Sequence, residues 1–306
     1  MRQYIIRRLL QVLPIVFLVA TTVFFLFKLI PGDPATVFAG EQASPATIAR
    51  VRERLGLDQP IMVQYWRYLQ RLVKGDLGTS YINGMEVIDL VKVRFPNTIR
   101  LAFISTILSA FFGVSIGMVS ALKRETIVDY LLTVVALLGI SIPIFWLGLL
   151  LIYIFSVELS ILPIAGAATW KNYIMPVCTL SAVSVASILR ITRSSILEVM
   201  GEDFVRLARA KGLKESRVVF RHVLPNALIP VVTVIGLQFG YMLGGSIITE
   251  TIFGWPGMGR MLVVAVNQRD VMVVQGVLIV FATSFVLVNL IVDIVYALID
   301  PKISYS

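Results

Sequence analysis

VLPNALIPVVTVIGLQFGYMLGGSIIT, from Val223 to Thr249, contains no Asp, Glu, Lys or Arg. An α-helix rises about 1.5 Å per residue, so about 20 apolar residues cross the hydrocarbon core of a bilayer. This stretch is long enough to span. Five other uncharged runs match it: Leu9–Phe27, Leu101–Leu122, Tyr130–Val157, Asn172–Leu189 and Val271–Val292. Any one alone also fits a buried helix of a soluble protein. Six in a chain of 306 residues point instead to a helical membrane protein.

Composition agrees. Hydrophobic residues make up 58% of the chain and charged ones 15%, against about a quarter charged in soluble domains. The single cysteine, Cys178, excludes an intrachain disulfide, a CxxC pair and a multi-cysteine metal site. The single histidine, His222, excludes a two-histidine zinc motif. The net charge of +9 reads as membrane topology rather than nucleic-acid binding. Arg2, Arg7 and Arg8 at the start, and Arg206, Arg209, Lys211, Lys214, Arg217 and Arg221 between the fourth and fifth runs, place both regions in the cytoplasm by the positive-inside rule. The first run has the basic start of a signal peptide but no clear A-x-A site, and reads as a retained anchor.

The expected organisation is an all-α membrane protein of about six spans. Residues 1–8 form a cytoplasmic N-terminus, 9–30 the first span and 31–97 an external helical insertion. The second to fourth spans cover 98–122, 130–157 and 172–195. A cytoplasmic connection follows at 196–225, the fifth span at 226–249, an external loop at 250–270, the sixth span at 271–297 and a cytoplasmic C-terminus at 298–306. Pro31-Gly32-Asp33-Pro34 breaks the first helix. In the insertion, Ser44-Pro45 is an N-cap and N1 pair for a helix that Gly56 ends. A second helix after Pro60 carries Met62, Tyr65, Trp66, Leu69 and Leu72 at amphipathic spacing, a stripe expected to pack on the membrane domain.

Small residues recur at every fourth position of the second run: Ser105, Ser109, Gly113, Gly117 and Ala121. Gly236, Gly240 and Gly244 repeat the device in the fifth. Such ridges let helix backbones approach closely in lipid, within one chain or between subunits. Polar groups in mid-span are few. Arg190, Arg193 and Asp293 fall near span ends, where they can pair or snorkel. Asn289 and Asp293 share a helix face, and with Gln238 and Glu250 they are the candidates for a pathway or gate. Gly254, Pro256, Gly257 and Gly259 read as a tight turn or as the lining of an outer mouth.

The connection Gly201–Pro225 reads GEDFVRLARAKGLKESRVVFRHVLP. It is too charged to span, and its pattern suggests two short helices bent at Gly212. A knob that is basic on one side and apolar on the other suits docking into a partner's groove.

This stretch resembles the EAA loop of ABC-importer permeases, which reads Glu-Ala-Ala, three residues, Gly, nine residues, Ile, one residue, Leu-Pro. Ala208, Gly212 and Leu224-Pro225 stand at the matching positions, while Arg206, Leu207 and His222 replace the Glu, the first Ala and the Ile. The replacements are similar to the branch of peptide, glutathione and nickel importer permeases. Leu57-Asp58-Gln59-Pro60 with Gly75-Asp76-Leu77-Gly78, the segment Glu250–Gly259, and Asp300-Pro301-Lys302 resemble that branch too. The resemblance implies a type I ABC-importer permease fold in a bacterial inner membrane, and transport by alternating access. Ala208, Arg209, Lys211, Gly212, Leu224 and Pro225 would couple to ATPases. Expected partners are two ATP-binding subunits, a second homologous permease subunit, an external substrate-binding protein and membrane lipid. Peptides or glutathione lead as cargo, with a nickel chelate as the alternative.

The chain has no G-x-x-x-x-G-K-[ST] phosphate loop. ATP and Mg would therefore sit on partners, with no cofactor on this chain. An ion-coupled secondary transporter would ordinarily carry ionisable groups at mid-span. A membrane-embedded enzyme would need more chemistry than one His, one Cys and no clustered carboxylates offer.

Overall fold

The computed structural model describes residues 2–29, 33–40 and 42–299. The turn residues Pro31 and Gly32 and the terminal Asp300-Pro301-Lys302 lie outside them. The described elements are helical: α1 (Arg2–Leu29), α2 (Pro34–Ala39), α3 (Pro45–Arg54), α4 (Ile61–Val73), α5 (Val87–Leu122), α6 (Ile127–Ser141), α7 (Ile144–Ile152), α8 (Lys171–Met200), α9 (Asp203–Ala210), α10 (Glu215–Val218), α11 (Leu224–Ile252), α12 (Met258–Asn267) and α13 (Val271–Ile299). A π-helical turn, Tyr153–Glu158, continues α7, and another, Val219–Val223, joins α10 to α11.

Among the described residues, five helices are long and apolar enough to cross a bilayer. The third run is not one straight helix. It breaks into α6 and α7, bent by 99°. Proline has no N–H and disfavours helical backbone in the residue before it. Ile142, which precedes Pro143, is accordingly extended, with φ −78° and ψ 123°. The pair still crosses the bundle once. Asp129 at the start of α6 contacts Ser120 at the end of α5, whereas Gly148 of α7 lies beside Ile252 and Phe253 at the far end of α11.

Two faces result. One, here the Lys28 face, gathers the end of α1, the starts of α5, α8 and α13, α2–α4 and α12. The other, the Gly212 face, gathers the α5–α6 turn, the end of α8 and α9–α10. The helix of the second span begins at Val87, earlier than the expected start at residue 98 and the uncharged run from Leu101. Residues 87–97, expected to belong to the external insertion, are the helix continuing past the apolar zone, with Asp89, Lys92 and Arg94 on it.

The small-residue ridges pack within the chain at four of their five glycines. A Cβ on Gly113 or Gly117 would overlap Ile188 or Thr192 of α8, and one on Gly236 would overlap Val292 of α13. One on Gly240 would meet Phe285 at 3.2 Å. Gly244 has nothing within 4 Å and is not a packing residue here.

In the insertion, Ser44 caps α3 by accepting from the Thr47 amide, and Gly56 after it has φ +64°. Helix α4 packs on α1 through Tyr65, Tyr68, Leu69 and Leu72, clustered with Phe24 and Phe25. Met62 and Trp66, expected in the same contact, are exposed. The stripe is thus wider than the α1 contact, and only its Tyr65–Leu69–Leu72 side is covered.

Candidate functional site

At the Gly212 face, α9 and α10 form a short helical elbow. Between them Gly212 adopts φ +74°, a left-handed conformation that L side chains resist. No heavy atom lies within 4 Å of its would-be Cβ, so backbone angle and not crowding calls for glycine. Beneath the elbow, Val205, Ala208, Val218 and Val223 are buried with Ala121 of α5, Ile196 of α8 and Ala227 of α11. The elbow is therefore seated on three long helices.

Its outer surface is mixed. Phe204 and Leu207, three apart on α9, are 43% and 57% exposed, and Phe220 on the π turn is exposed as well. Arg206, Lys211, Lys214, Arg217 and Arg221 of the same connection are exposed too. Arg209 donates to both carboxylate oxygens of Glu215, at 3.2 and 2.6 Å, which clips α9 to α10 and raises the already high pKa of the guanidinium. Leu224 is half-buried and Pro225 is exposed at the start of α11, directly after the π turn. Of the residues expected to meet a partner, Ala208 faces the bundle instead; Arg209, Lys211 and Gly212 are exposed. The exposed apolar pair Phe204 and Leu207 was not among the residues expected to meet a partner. Their spacing against buried Val205 and Ala208 gives α9 two apolar faces, more than one contact uses.

The proposed gate residues divide. Glu250 is fully buried and does not line an opening. Its Oε1 accepts from Thr98 Oγ1 at 2.7 Å and its Oε2 from the Arg260 amide at 3.1 Å, near the start of α12, where a helix N-terminus favours negative charge. Gly257 and Gly259 have to be glycine because the chain wraps this carboxylate: a Cβ on the first would overlap the Glu250 carboxyl and one on the second would sit 2.5 Å from the Ile247 Cα. Trp255, also fully buried, stacks edge-on against Tyr173 and donates its indole N–H to the Asn97 carbonyl at 3.2 Å. The Glu250–Gly259 segment is thus a packed turn rather than the lining of a mouth.

Gln238, Asn289 and Asp293 are half-buried. Asn289 Oδ1 is buried without a hydrogen-bond partner, next to Gly240. Sequence reading missed Asp129 altogether. It is buried under Ser120 Oγ at 2.5 Å and bound bidentately by Arg193. Arg190 is exposed at the same level. Among the described residues no group of three or more His, Cys, Asp or Glu could hold a metal ion.

Comparison with known proteins places this architecture. Residues 113–305 match the family described as binding-protein-dependent transport system inner membrane component, and residues 1–102 match the N-terminal region of such membrane components. The glutathione transport system permease protein GsiC of Salmonella paratyphi A is 47% identical, over 100% of both chains. The GsiC protein of Escherichia coli K12 is 46% identical over the same full lengths. Among solved structures, an inward-facing MetNI methionine ABC transporter aligns with a TM-score of 0.59 at 18% identity, covering 70% of this chain and 97% of that one. That likeness concerns the fold alone. With full-length identity near half and both family regions matched in order, the chain belongs to the binding-protein-dependent transport system inner membrane components, the permease subunits of ABC importers.

Proposed function

We propose that this permease carries glutathione or a short peptide of similar size inward, by alternating access driven from the Gly212 face. The observation that carries the reading is the elbow of α9 and α10: an exposed apolar pair on a charged, predominantly basic surface, seated on α5, α8 and α11. A surface of that kind suits a groove on an ATPase, and its buried base would pass the partner's movement to three spans at once. Arg209, Lys211 and Gly212 would meet the ATPase, with Phe204 and Leu207 as apolar anchors, while Leu224 and Pro225 join the elbow to α11.

The Gly212 face, with both chain termini, would be cytoplasmic, in keeping with its many cations. The Lys28 face would then receive the substrate-binding protein. A second homologous permease subunit and two ATPase subunits would complete the importer. ATP and Mg would bind those ATPases, and this chain would perform no catalysis. Glutathione is favoured as cargo because the full-length relatives are named for it. Half-buried Gln238, Asn289 and Asp293 on α11 and α13 are the polar groups proposed to face the pathway.

The test is ATP-dependent glutathione uptake into proteoliposomes holding the complete importer. Gly212→Trp should abolish uptake while leaving assembly intact. Full uptake by that variant would remove the coupling assignment, and uptake of nickel chelates in place of glutathione would remove the cargo.

A further inference from the structure

The insertion on the Lys28 face is more intimate with the span than an aqueous domain would be. Tyr65 Oη lies 2.6 Å from Thr21 Oγ1, and Tyr68 Oη donates to the Ala20 carbonyl at 3.3 Å. Ala20 is eight residues before Lys28, so at about 1.5 Å per residue it lies about 12 Å along α1 from that end. With Lys28 taken as the end of the apolar part of α1, helix α4 would lie against the span at the depth of the head groups and upper acyl chains. One face of it, at helical spacing, presents Met62, Trp66 and Val73, which are 67%, 62% and 89% exposed. Beside the α1 contact, that face has no protein cover among the described residues, and tryptophan at a membrane boundary is where such a residue is favoured.

On its opposite face α4 walls a cavity of about 560 Å³. Phe24, Phe27 and Met272, from α1 and α13, give it an apolar floor. Its walls hold six cations against a single carboxylate, Asp33. Asp33 is already engaged, accepting from Arg52 at 2.9 Å and capping α2. Lys28 donates to Gln64 at 2.6 Å. That leaves Arg54, Arg67, Arg71 and Lys74 around the cavity without a carboxylate partner among the described residues.

We infer that this cavity binds the phosphodiester head group of an anionic phospholipid, with α4 lying in the leaflet on the Lys28 side. Guanidinium groups match phosphate oxygens in charge and geometry. The apolar floor at the ends of α1 and α13 suits the first carbons of the acyl chains, which a soluble phosphate would not use. The volume lies within the range of small-molecule sites. The exposed face of α4 would meet the neighbouring acyl chains.

The test uses the complete purified importer in detergent. Phosphatidylglycerol retention would be measured by native mass spectrometry, and rebinding of a fluorescent phosphatidylglycerol would be measured after delipidation. Wild type should retain phosphatidylglycerol over phosphatidylethanolamine. Arg67→Gln/Arg71→Gln should weaken rebinding at least tenfold, Arg67→Lys/Arg71→Lys should keep most of it, and Arg100→Gln, outside the cavity, should change nothing. Full retention by the double glutamine variant would overturn the site. Displacement of the lipid by millimolar inorganic phosphate would overturn the lipid in favour of a soluble anion. Unchanged lipid binding together with lost docking of the substrate-binding protein would overturn it in favour of a protein contact.

Discussion

Arg193 of α8 holds Asp129 of α6 with two parallel hydrogen bonds, Nε to Oδ1 at 2.8 Å and Nη2 to Oδ2 at 2.7 Å. The carboxylate also accepts from Ser120 Oγ and the Glu125 amide, so α5, the α5–α6 turn, α6 and α8 meet on one side chain. Removing one partner of a buried pair leaves a charge with nothing to balance it. Arg193 is 31% exposed and Asp129 keeps the Ser120 and Glu125 donors, so Arg193→Ala should destabilise the protein by less than a fully buried pair would, about 3–5 kcal/mol. Asp129→Leu/Arg193→Leu should recover part of the loss. Unfolding of the detergent-solubilised chain, followed by circular dichroism, measures both.

Thr98 has a double role: its hydroxyl donates to Glu250 and accepts from the Met258 amide at 2.9 Å. Thr98→Val keeps the shape and removes both bonds, at an expected cost of about 1–3 kcal/mol for each buried group left unsatisfied. Thr98→Ser should stay close to wild type. A valine variant as stable as the serine one would show that the Glu250 turn does not depend on this hydroxyl.

The two glycines of α11 that share a ridge should behave in opposite ways. Gly236→Ala drives a methyl into Val292 and should cost about 1–3 kcal/mol by overpacking. Gly244→Ala meets open space and should leave the melting temperature unchanged or raise it, since alanine is the better helix former by up to about 1 kcal/mol. Equal losses at both positions in the isolated chain would contradict the packing described here.

On the elbow, Phe204→Ser/Leu207→Ser changes exposed residues only, so the unfolding midpoint should not move. If these residues anchor the ATPase, substrate-stimulated ATP hydrolysis by the assembled importer should fall roughly tenfold, as when an apolar anchor of about 1.4 kcal/mol is lost from an interface. A wild-type rate would exclude them from the contact.

What could be read before folding follows from the range of each interaction. Hydropathy over 20 residues is local information, which is why the spans and the charged elbow were visible. Gly212 was visible because a bend between two helical patterns has a local signature. The break at Pro143 was also present in the sequence, but an unbroken apolar run masked it. Asp129 and Arg193 are 64 residues apart, and nothing local marks them as partners. Glu250 looked like a gate because an acid beside an apolar run is conspicuous. Its burial depends on Thr98 and the start of α12, which only the fold brings to it.

From Glu215 to Ile252 the chain forms one helical rod of 38 residues, about 57 Å long at 1.5 Å per residue. One wide turn, Val219–Val223, interrupts its otherwise regular pitch just above the elbow. A rod with a single off-pitch turn has angular slack at that point. If the turn tightened to ordinary pitch by one residue, every side chain beyond it would advance by about 100°. Gly236 and Gly240 would then leave Val292 and Phe285, with the rod lengthening by only one residue's rise, about 1.5 Å. The elbow would act less as a piston than as the grip of a screw.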